Sequence, residues 1–313
     1  MELRETCVRA AQDQATLAAV VRELMDGLPW SKARKLVETG RVSVDGELRF
    51  DPAERVREGM AIAVNPTGRK RRAPALEPER IIHLDRDVVV VRKPADLLSV
   101  PYEDRDERDT LIERTRQALR ERKPGAEGPS SDRLLIVQRL DKDTTGLLVF
   151  ARTRAGRKGL EAQFRAHSIH RRYVALVHGS AEAAVHDSFL IADRGDGKRG
   201  SWRGANPPKA AKRAITKVRV EARYRGPGGP LTLVSCQLET GRQHQIRIHL
   251  AEAGTPLVGE PIYDRGHRSR RLDAPRPMLH AASLGFRHPV NQRALRFEDP
   301  LPDDFGALLD TLS

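Results

Sequence analysis

RLDKDTTGLLVF, residues 139–150, sets two carboxylates one residue apart, Asp141 and Asp143, ahead of Thr-Thr-Gly and an apolar run. A calcium loop is the first reading to test. It needs oxygen ligands at positions one, three and five, glycine at six and a bidentate glutamate at twelve. Counted from Asp141, the chain supplies Asp143, Thr145 and Gly146, but position twelve is Arg152. Leu147, Leu148, Val149 and Phe150 occupy positions seven to ten, and these have the length and composition of a buried strand. The stretch therefore reads as a turn entering a buried strand, with one carboxylate held at its mouth.

The apolar runs around it extend this pattern. IIHL at 81–84 and VVVVRKP at 88–94 flank an Asp85-Arg86-Asp87 turn, and LLIVQ at 134–138, LLVFA at 147–151 and RYVALVHG at 172–179 have strand composition. Two further runs flank GPGGP at 226–230, and DTLIERTRQALRER at 109–122 has helical spacing at Ile112, Thr115 and Leu119. Strands and helices do not alternate regularly, so the spacing predicts an α+β fold with a mixed, largely antiparallel sheet. Residues 243–253 fit a helix burying Ile246, Leu250 and Ala253, with Gly254 as its stop, and fit strand alternation nearly as well.

Before this region lies a smaller unit. TLAAVVRELM at 16–25 and SKARKLVETG at 31–40 suit helices, the second with Ser31 as N-cap and Ala33, Leu36 and Val37 as its apolar stripe. RVSV and ELRF meet at an Asp45-Gly46 turn as a hairpin, and MAIAV at 60–64 adds a third strand. Proline, glycine and a four-residue basic run in NPTGRKRRAPALEPE mark a linker. The expected organisation is a small α/β domain over 1–65 with its core at 16–65, a basic linker over 66–79, and a large domain over 80–313.

Charge narrows the partner. Lys and Arg outnumber Asp and Glu by 56 to 43, giving +13 and an isoelectric point near 10.2, which favours nucleic acid over a membrane surface. Residues 193–213 hold seven Lys or Arg against two Asp, and 265–276 hold five Arg against one Asp. Both segments are expected to be phosphate-facing loops. Neither a spanning apolar run nor a signal-peptide core is present, so the expectation is cytoplasmic, with no membrane. Cys7 and Cys236 form no Cys-x-x-Cys pair and are expected as reduced thiols. His244 and His249 lie five apart, with His280 later, and this spacing does not set two imidazoles on one helix face as a zinc pair requires. No metal and no cofactor are expected.

RLDKDTTGLLVFA, RRYVALVHG and GRQHQIRIHLAEAGTPLVGEPIYD, in that order, resemble the RNA pseudouridine synthases of the RluA type from near Ile81 to the C-terminus. That family usually shows His-Arg-Leu-Asp and Thr-Ser-Gly-Leu, where this chain has Gln138 and Thr145. KPADLLSVP has Asp96 for the family's glycine, and Glu260 stands where aspartate is common. Residues 16–65 separately resemble the RNA-binding domain named after ribosomal small-subunit protein four, through Gly40, Arg41, Val42, Val44 and Gly46. In that domain the basic helix faces RNA, which points to Lys32, Arg34, Lys35 and Arg41.

The resemblance implies a chemistry and its residues. A uridine loses its glycosidic bond, the base turns while held, and ring carbon five bonds to the sugar. A carboxylate beside the ribose either adds to the anomeric carbon or stabilises positive charge there, and Asp141 matches it. Arg247 corresponds to its buried cation, expected to hold the carboxylate by two hydrogen bonds. Tyr173 corresponds to the residue that stacks on the base and serves in proton transfer, and Arg139 to the arginine that fills the space of the extruded nucleotide. Thr144 and Gln245 complete the implied substrate contacts, and Asp143 is left as a turn residue. The implied substrate is ribosomal RNA, preferably of the large subunit, with transfer RNA as a second choice, and the chain is expected to act as a monomer. Two rivals remain: a catalytically inactive RNA-binding or ribosome-assembly protein, and a metal-dependent nuclease using Asp141, Asp143 and the histidines.

Overall fold

Four consecutive valines, Val88–Val91, are all buried, as expected of a strand covered on both faces. The computed structural model in which they lie describes residues 3–67, 74–101, 109–122, 133–264 and 272–312. Its contacts group the chain into two units, Met1–Pro78 with Leu97–Ala126 and Glu79–Asp96 with Glu127–Ser313. Leu97–Ala126 thus groups with the first unit, although it falls inside the 80–313 span read from sequence.

The first unit contains β1 (Arg4–Cys7), α1 (Leu17–Leu24), α2 (Trp30–Glu38), β2 (Val42–Val44), β3 (Glu47–Arg49), β4 (Ala61–Val64) and, later in the chain, α3 (Leu111–Glu121). Its sheet runs β1-β4-β2-β3. Val20, Val21, Leu36, Val37, Val42, Ile62 and Val64 share one core, so helix stripe and strand alternation point the same way. The second helix begins at Trp30, with Pro29 in the cap position and no side-chain cap. This corrects the Ser31 cap: Pro29, fixed at φ −51°, turns the chain into the helix two residues early.

The second unit contains β5 (Ile81–Leu84), β6 (Val88–Lys93), β7 (Thr145–Ala151), α4 (Arg154–Arg165), β8 (His170–His178), β9 (Ala184–Ile191), β10 (Gly200–Ser201), β11 (Lys212–Gly226), β12 (Gly229–Leu238), α5 (Gln245–Glu252), β13 (Leu279–Arg287), β14 (Ala294–Glu298) and α6 (Asp303–Asp310). One sheet runs β10-β9-β11-β12-β8-β13-β7-β6-β5, with β14 paired to β13. The β7–β13 pairing is parallel, while the other pairings between these strands, such as β6–β7 and β8–β12, are antiparallel. The α+β expectation with a mixed, largely antiparallel sheet therefore holds. Every residue of β7 is buried. Leu160 of α4 covers one side of this centre with Val88, Val90, Leu147 and Val149, and Leu176, Leu231, Met278 and Phe305 form a second cluster. Among the described residues no helix is long and apolar enough to cross a membrane.

Two local readings change. LLIVQ forms only one bridge, Leu135 to Ala151, because Gln138 and Arg139 leave the sheet to line a cavity. Residues 154–165, unforeseen as a helix, are one. Their apolar signal is thin because glycine takes packing positions: a Cβ on Gly159 would lie 2.6 Å from Cβ of Pro289.

Candidate active site

The turn that carries Asp141 is held from below by Lys93. This lysine is fully buried, and its Nζ donates to the carbonyls of Pro94 at 2.8 Å and Lys142 at 2.5 Å. Burial pushes its ammonium down to about 7, against the opposing charges of Asp143 and Asp141. Thr144 N–H donates to the Asp141 carbonyl at 3.1 Å and closes the turn. Gly146 then adopts φ +110°, and a Cβ there would come within 2.4 Å of the Ala281 carbonyl oxygen. Only glycine lets β7 lie this close to β13. Asp96, at φ +55°, keeps the left-handed conformation that the family's glycine would take, and it pairs with Lys142 at 2.9 Å.

The second wall comes from α5 and the segment after it. Arg247 is buried, and its fork donates through Nε to Glu260 Oε2 at 2.8 Å and through Nη2 to Glu260 Oε1 at 2.7 Å. Glu260 is itself fully buried on its side chain and accepts from the N–H groups of Ile262 at 3.0 Å and Tyr263 at 3.2 Å. From Arg247, Asp141 receives the approach of Nη1 to its Oδ2, at 3.8 Å. The expected two-bond Arg247–Asp141 pair is therefore corrected: the fork belongs to Glu260, whose two oxygens lie in its plane. Burial works to lower the Arg247 pKa, and the Glu260 hydrogen bond with the Glu260 and Asp141 charges outweighs it, leaving a net rise.

His244 flanks the other carboxylate oxygen, with Nε2 at 4.0 Å from Asp141 Oδ1. It caps α5 from a left-handed backbone, φ 57° and ψ 19°, and its Nδ1 bonds the Tyr263 hydroxyl at 2.7 Å. Burial holds its pKa down, with Arg247 adding to the effect, so the imidazole is neutral at neutral pH. Tyr263, pushed up to about 12 by burial, also stacks its ring 5.5 Å from the Arg247 guanidinium.

Asp141, Tyr173, Arg247, Arg139, Thr144 and Gln245 all line one cavity of about 680 Å³. Asp141 keeps a quarter of its side chain exposed there. Tyr173 is buried; burial raises its hydroxyl pKa, the Arg171 charge lowers it and Asp141 raises it further. Arg139 is exposed and Thr144 buried. Gln245 requires a correction. Its Oε1 accepts from Thr240 Oγ1 at 2.8 Å and Arg242 N–H at 3.0 Å, and its Nε2 donates to Ile215 O and Thr216 Oγ1, both at 3.0 Å. An amide so fully bonded braces the Thr240–Arg242 loop and has no donor left for substrate. Residues Gln245–Glu252 are helical, but Ala253 is exposed, unlike the expected buried stripe.

Comparison with known proteins identifies the family. Residues 87–252 match the family model described as RNA pseudouridylate synthase. The chain belongs to the RNA pseudouridylate synthase family. It is 33% identical over 95% of its length to the ribosomal large subunit pseudouridine synthase D of Zymomonas mobilis, covering 93% of that protein. It is 30% identical over 99% of its length to the protein of the same name from Xanthomonas campestris, covering 92% of it. A solved structure, human RNA pseudouridylate synthase domain containing 4, shares the fold at TM-score 0.58 and 23% identity, over 74% of this chain and 92% of that one.

As an RNA pseudouridine synthase the chain is an isomerase, and its site contains groups that sequence reading passed over. Glu260 was noted only as a departure, and Lys93 only as part of a motif. A buried arginine signals that a carboxylate must lie near, but thirteen positions and a turn separate Arg247 from its partner. The histidines considered for a metal have other duties. His249 bonds Thr216 Oγ1 at 2.8 Å and Ser188 Oγ at 3.0 Å, and His280 bonds Thr145 Oγ1 at 2.9 Å.

In the first unit, Lys32, Arg34 and Lys35 are exposed on α2 opposite buried Ala33, Leu36 and Val37, and Arg41 is half-buried. The basic segment 193–213 lies within the described residues, whereas 265–271 of the second basic segment and 68–73 of the linker lie outside them. Arg276, counted with that second segment, is buried and bidentate to Asp304 at 2.7 and 2.8 Å. It is a structural ion pair and not a phosphate contact.

Proposed function

We propose that the chain converts specific uridines of large-subunit ribosomal RNA to pseudouridine, with Asp141 acting at the ribose anomeric carbon. The observation that carries this reading is Asp141 itself: a carboxylate open to the cavity, 3.8 Å from an arginine that Glu260 already holds. The names of the two bacterial relatives support the choice of RNA.

The reaction breaks the bond between N1 and the anomeric carbon and makes one from carbon five. The carbon-five proton is lost and N1 gains one, so no oxidant or group donor is required. Asp141 either adds to the anomeric carbon or faces its positive charge, while Arg247 fixes one side of the carboxylate. Tyr173 stacks on the base and its hydroxyl serves in proton transfer. Thr144 contacts the substrate beside Asp141, and exposed Arg139 enters the gap left by the extruded nucleotide, offsetting part of the unstacking cost. Residues 1–65 form the second RNA-binding domain, with Lys32, Arg34, Lys35 and Arg41 toward phosphates, ahead of the 66–79 linker and the 80–313 catalytic domain. The protein acts as a cytoplasmic monomer.

The test is pseudouridine mapping on total RNA, transfer RNA included, from cells lacking this protein and complemented with wild type or Asp141→Ala. Sites in large-subunit ribosomal RNA should vanish in the deletion and return only with wild type. Restoration by Asp141→Ala refutes the catalytic role, and loss confined to transfer RNA refutes the substrate.

A further inference from the structure

The edge of the large sheet beyond the cavity carries an exposed apolar row. Phe189 is 40% exposed, Trp202 39% and Val185 63%. Trp202 N–H donates to the Phe189 carbonyl at 2.7 Å and so continues the β9–β10 register, in which Ser201 faces Leu190. On the other side Phe189 faces Arg213 across β9–β11. Residues directly opposite in antiparallel strands share a face, so Trp202, Phe189 and Arg213 stand abreast. Val185 and its partner Lys217 occupy the same face four residues along. The indole is backed by the chain, since a Cβ on Gly204 would lie 2.7 Å from its ring.

The strand and loop beside this row are cationic, although Asp187 stands between Val185 and Phe189 on the same face. From Lys198 to Val220 there are eight Lys or Arg and no Asp or Glu. Arg213 is paired to Asp187 and Lys217 to Glu239, which fixes those two beside the rings and leaves the remaining cations to define the field. The strip is tied to the support behind the cavity: Lys198 Nζ donates to the Ile262 carbonyl at 3.1 Å, and the Ile262 N–H bonds Glu260, the partner of Arg247. Three residues separate Lys198 from Trp202.

We propose that this face is a stacking platform for single-stranded RNA, on which Trp202 and Phe189 each take a base while the cations of 198–219 follow the backbone. The occupant is the strand running on from the target uridine. An apolar row alone would suit a protein partner, but rings flanked by a 198–220 stretch with eight Lys or Arg and no acidic residue match a polyanion with flat faces. The inference rests on the RNA-modifying reading above and adds a site outside the catalytic cavity.

The test uses the full chain and a short single-stranded oligouridylate. In a Trp30→Phe background Trp202 is the single tryptophan, and its emission should be quenched as the oligonucleotide binds. Labelled-RNA anisotropy should show affinity weakened about tenfold by Trp202→Ala or Phe189→Ala, with Trp202→Phe restoring most of it. An RNA duplex of equal length should be affected far less. If the oligonucleotide binds without quenching and with unchanged affinity in both alanine variants, the platform is refuted while RNA binding stands. If nothing binds, the RNA-modifying reading falls with it. If Trp202→Ala instead dissociates an oligomer in sedimentation velocity, the face joins copies of this chain and the proposal is overturned.

Discussion

Glu260→Gln isolates the clamp behind the carboxylate proposed to react. Glu260 Oε1 accepts from Arg247 Nη2, Ile262 N–H and Tyr263 N–H, and Oε2 accepts from Arg247 Nε. The amide can keep the first three bonds through its oxygen but sets an NH2 against Arg247 Nε, so one charge-assisted bond becomes a donor facing a donor. Such a bond contributes about 1.5–3 kcal/mol, and an arginine left short of its partner in a buried site costs about 3–5 kcal/mol. With three bonds surviving, about 3 kcal/mol of stability should go, or about 6–12 °C in Tm for a unit of this size. Arg247, freed on one side, should also close its 3.8 Å gap to Asp141 and tie up the oxygen that must face the ribose. A displacement of that order lowers turnover roughly 100-fold. The assay is tritium release from RNA labelled at carbon five of uracil, under single-turnover conditions, beside a thermal melt. Glu260→Asp keeps the charge and should fall between the two. Unchanged Tm and unchanged rate in Glu260→Gln would refute the idea that this pair holds the site.

The lowered pKa of Lys93, about 7, means that the unfolded chain binds more protons than the folded one between about pH 7 and 10.5, so this group's contribution to stability rises with pH across that window and is lost as pH falls through 7. Wild type should therefore gain about 2 kcal/mol more than Lys93→Met between pH 7 and 9, read from urea melts of both. Gly146→Ala should lose more than about 3 kcal/mol, since positive φ and a contact with Ala281 are both violated; soluble protein with an unchanged melt would contradict the close β7–β13 approach. Replacing Lys32, Arg34 and Lys35 together by Gln should weaken RNA binding and lower the slope of log affinity against log salt by about 3, and an unchanged slope would remove α2 from the interface.

The sequence was most legible where one residue type answers to one local demand. Val88–Val91 and the run after Gly146 announce buried strands because their apolar character is continuous, and the Asp45-Gly46 turn announces its hairpin because both residues adopt positive φ there. Failure of the calcium count left Asp141 as a carboxylate at a turn, and its site role was legible only through the resemblance of its motif. Legibility failed where a polar residue serves a distant neighbour. Gln245 looks like a ligand contact in a string of polar residues, and only the fold brings Thr240, Ile215 and Thr216 around its amide. Residues 154–165 hid as a helix because two glycines stand where a stripe of larger apolar residues would signal one.

Arg247 shows why the missing partner matters most. An arginine bonded bidentately to Asp141 would satisfy that carboxylate in the resting enzyme and oppose its approach to a sugar. With Glu260 taking the fork, Arg247 is fixed without Asp141, and its third nitrogen offers charge at 3.8 Å rather than a bond. Neutral His244, at 4.0 Å and turned toward Tyr263, leaves the other oxygen equally uncommitted. The carboxylate is thus oriented by charge on one side and by shape on the other, and it keeps a quarter of its side chain exposed in the cavity it lines. Two carboxylates on one arginine thus differ in kind: Glu260, buried and fully bonded, sets the geometry, and Asp141, partly exposed, is the one left for the chemistry proposed above.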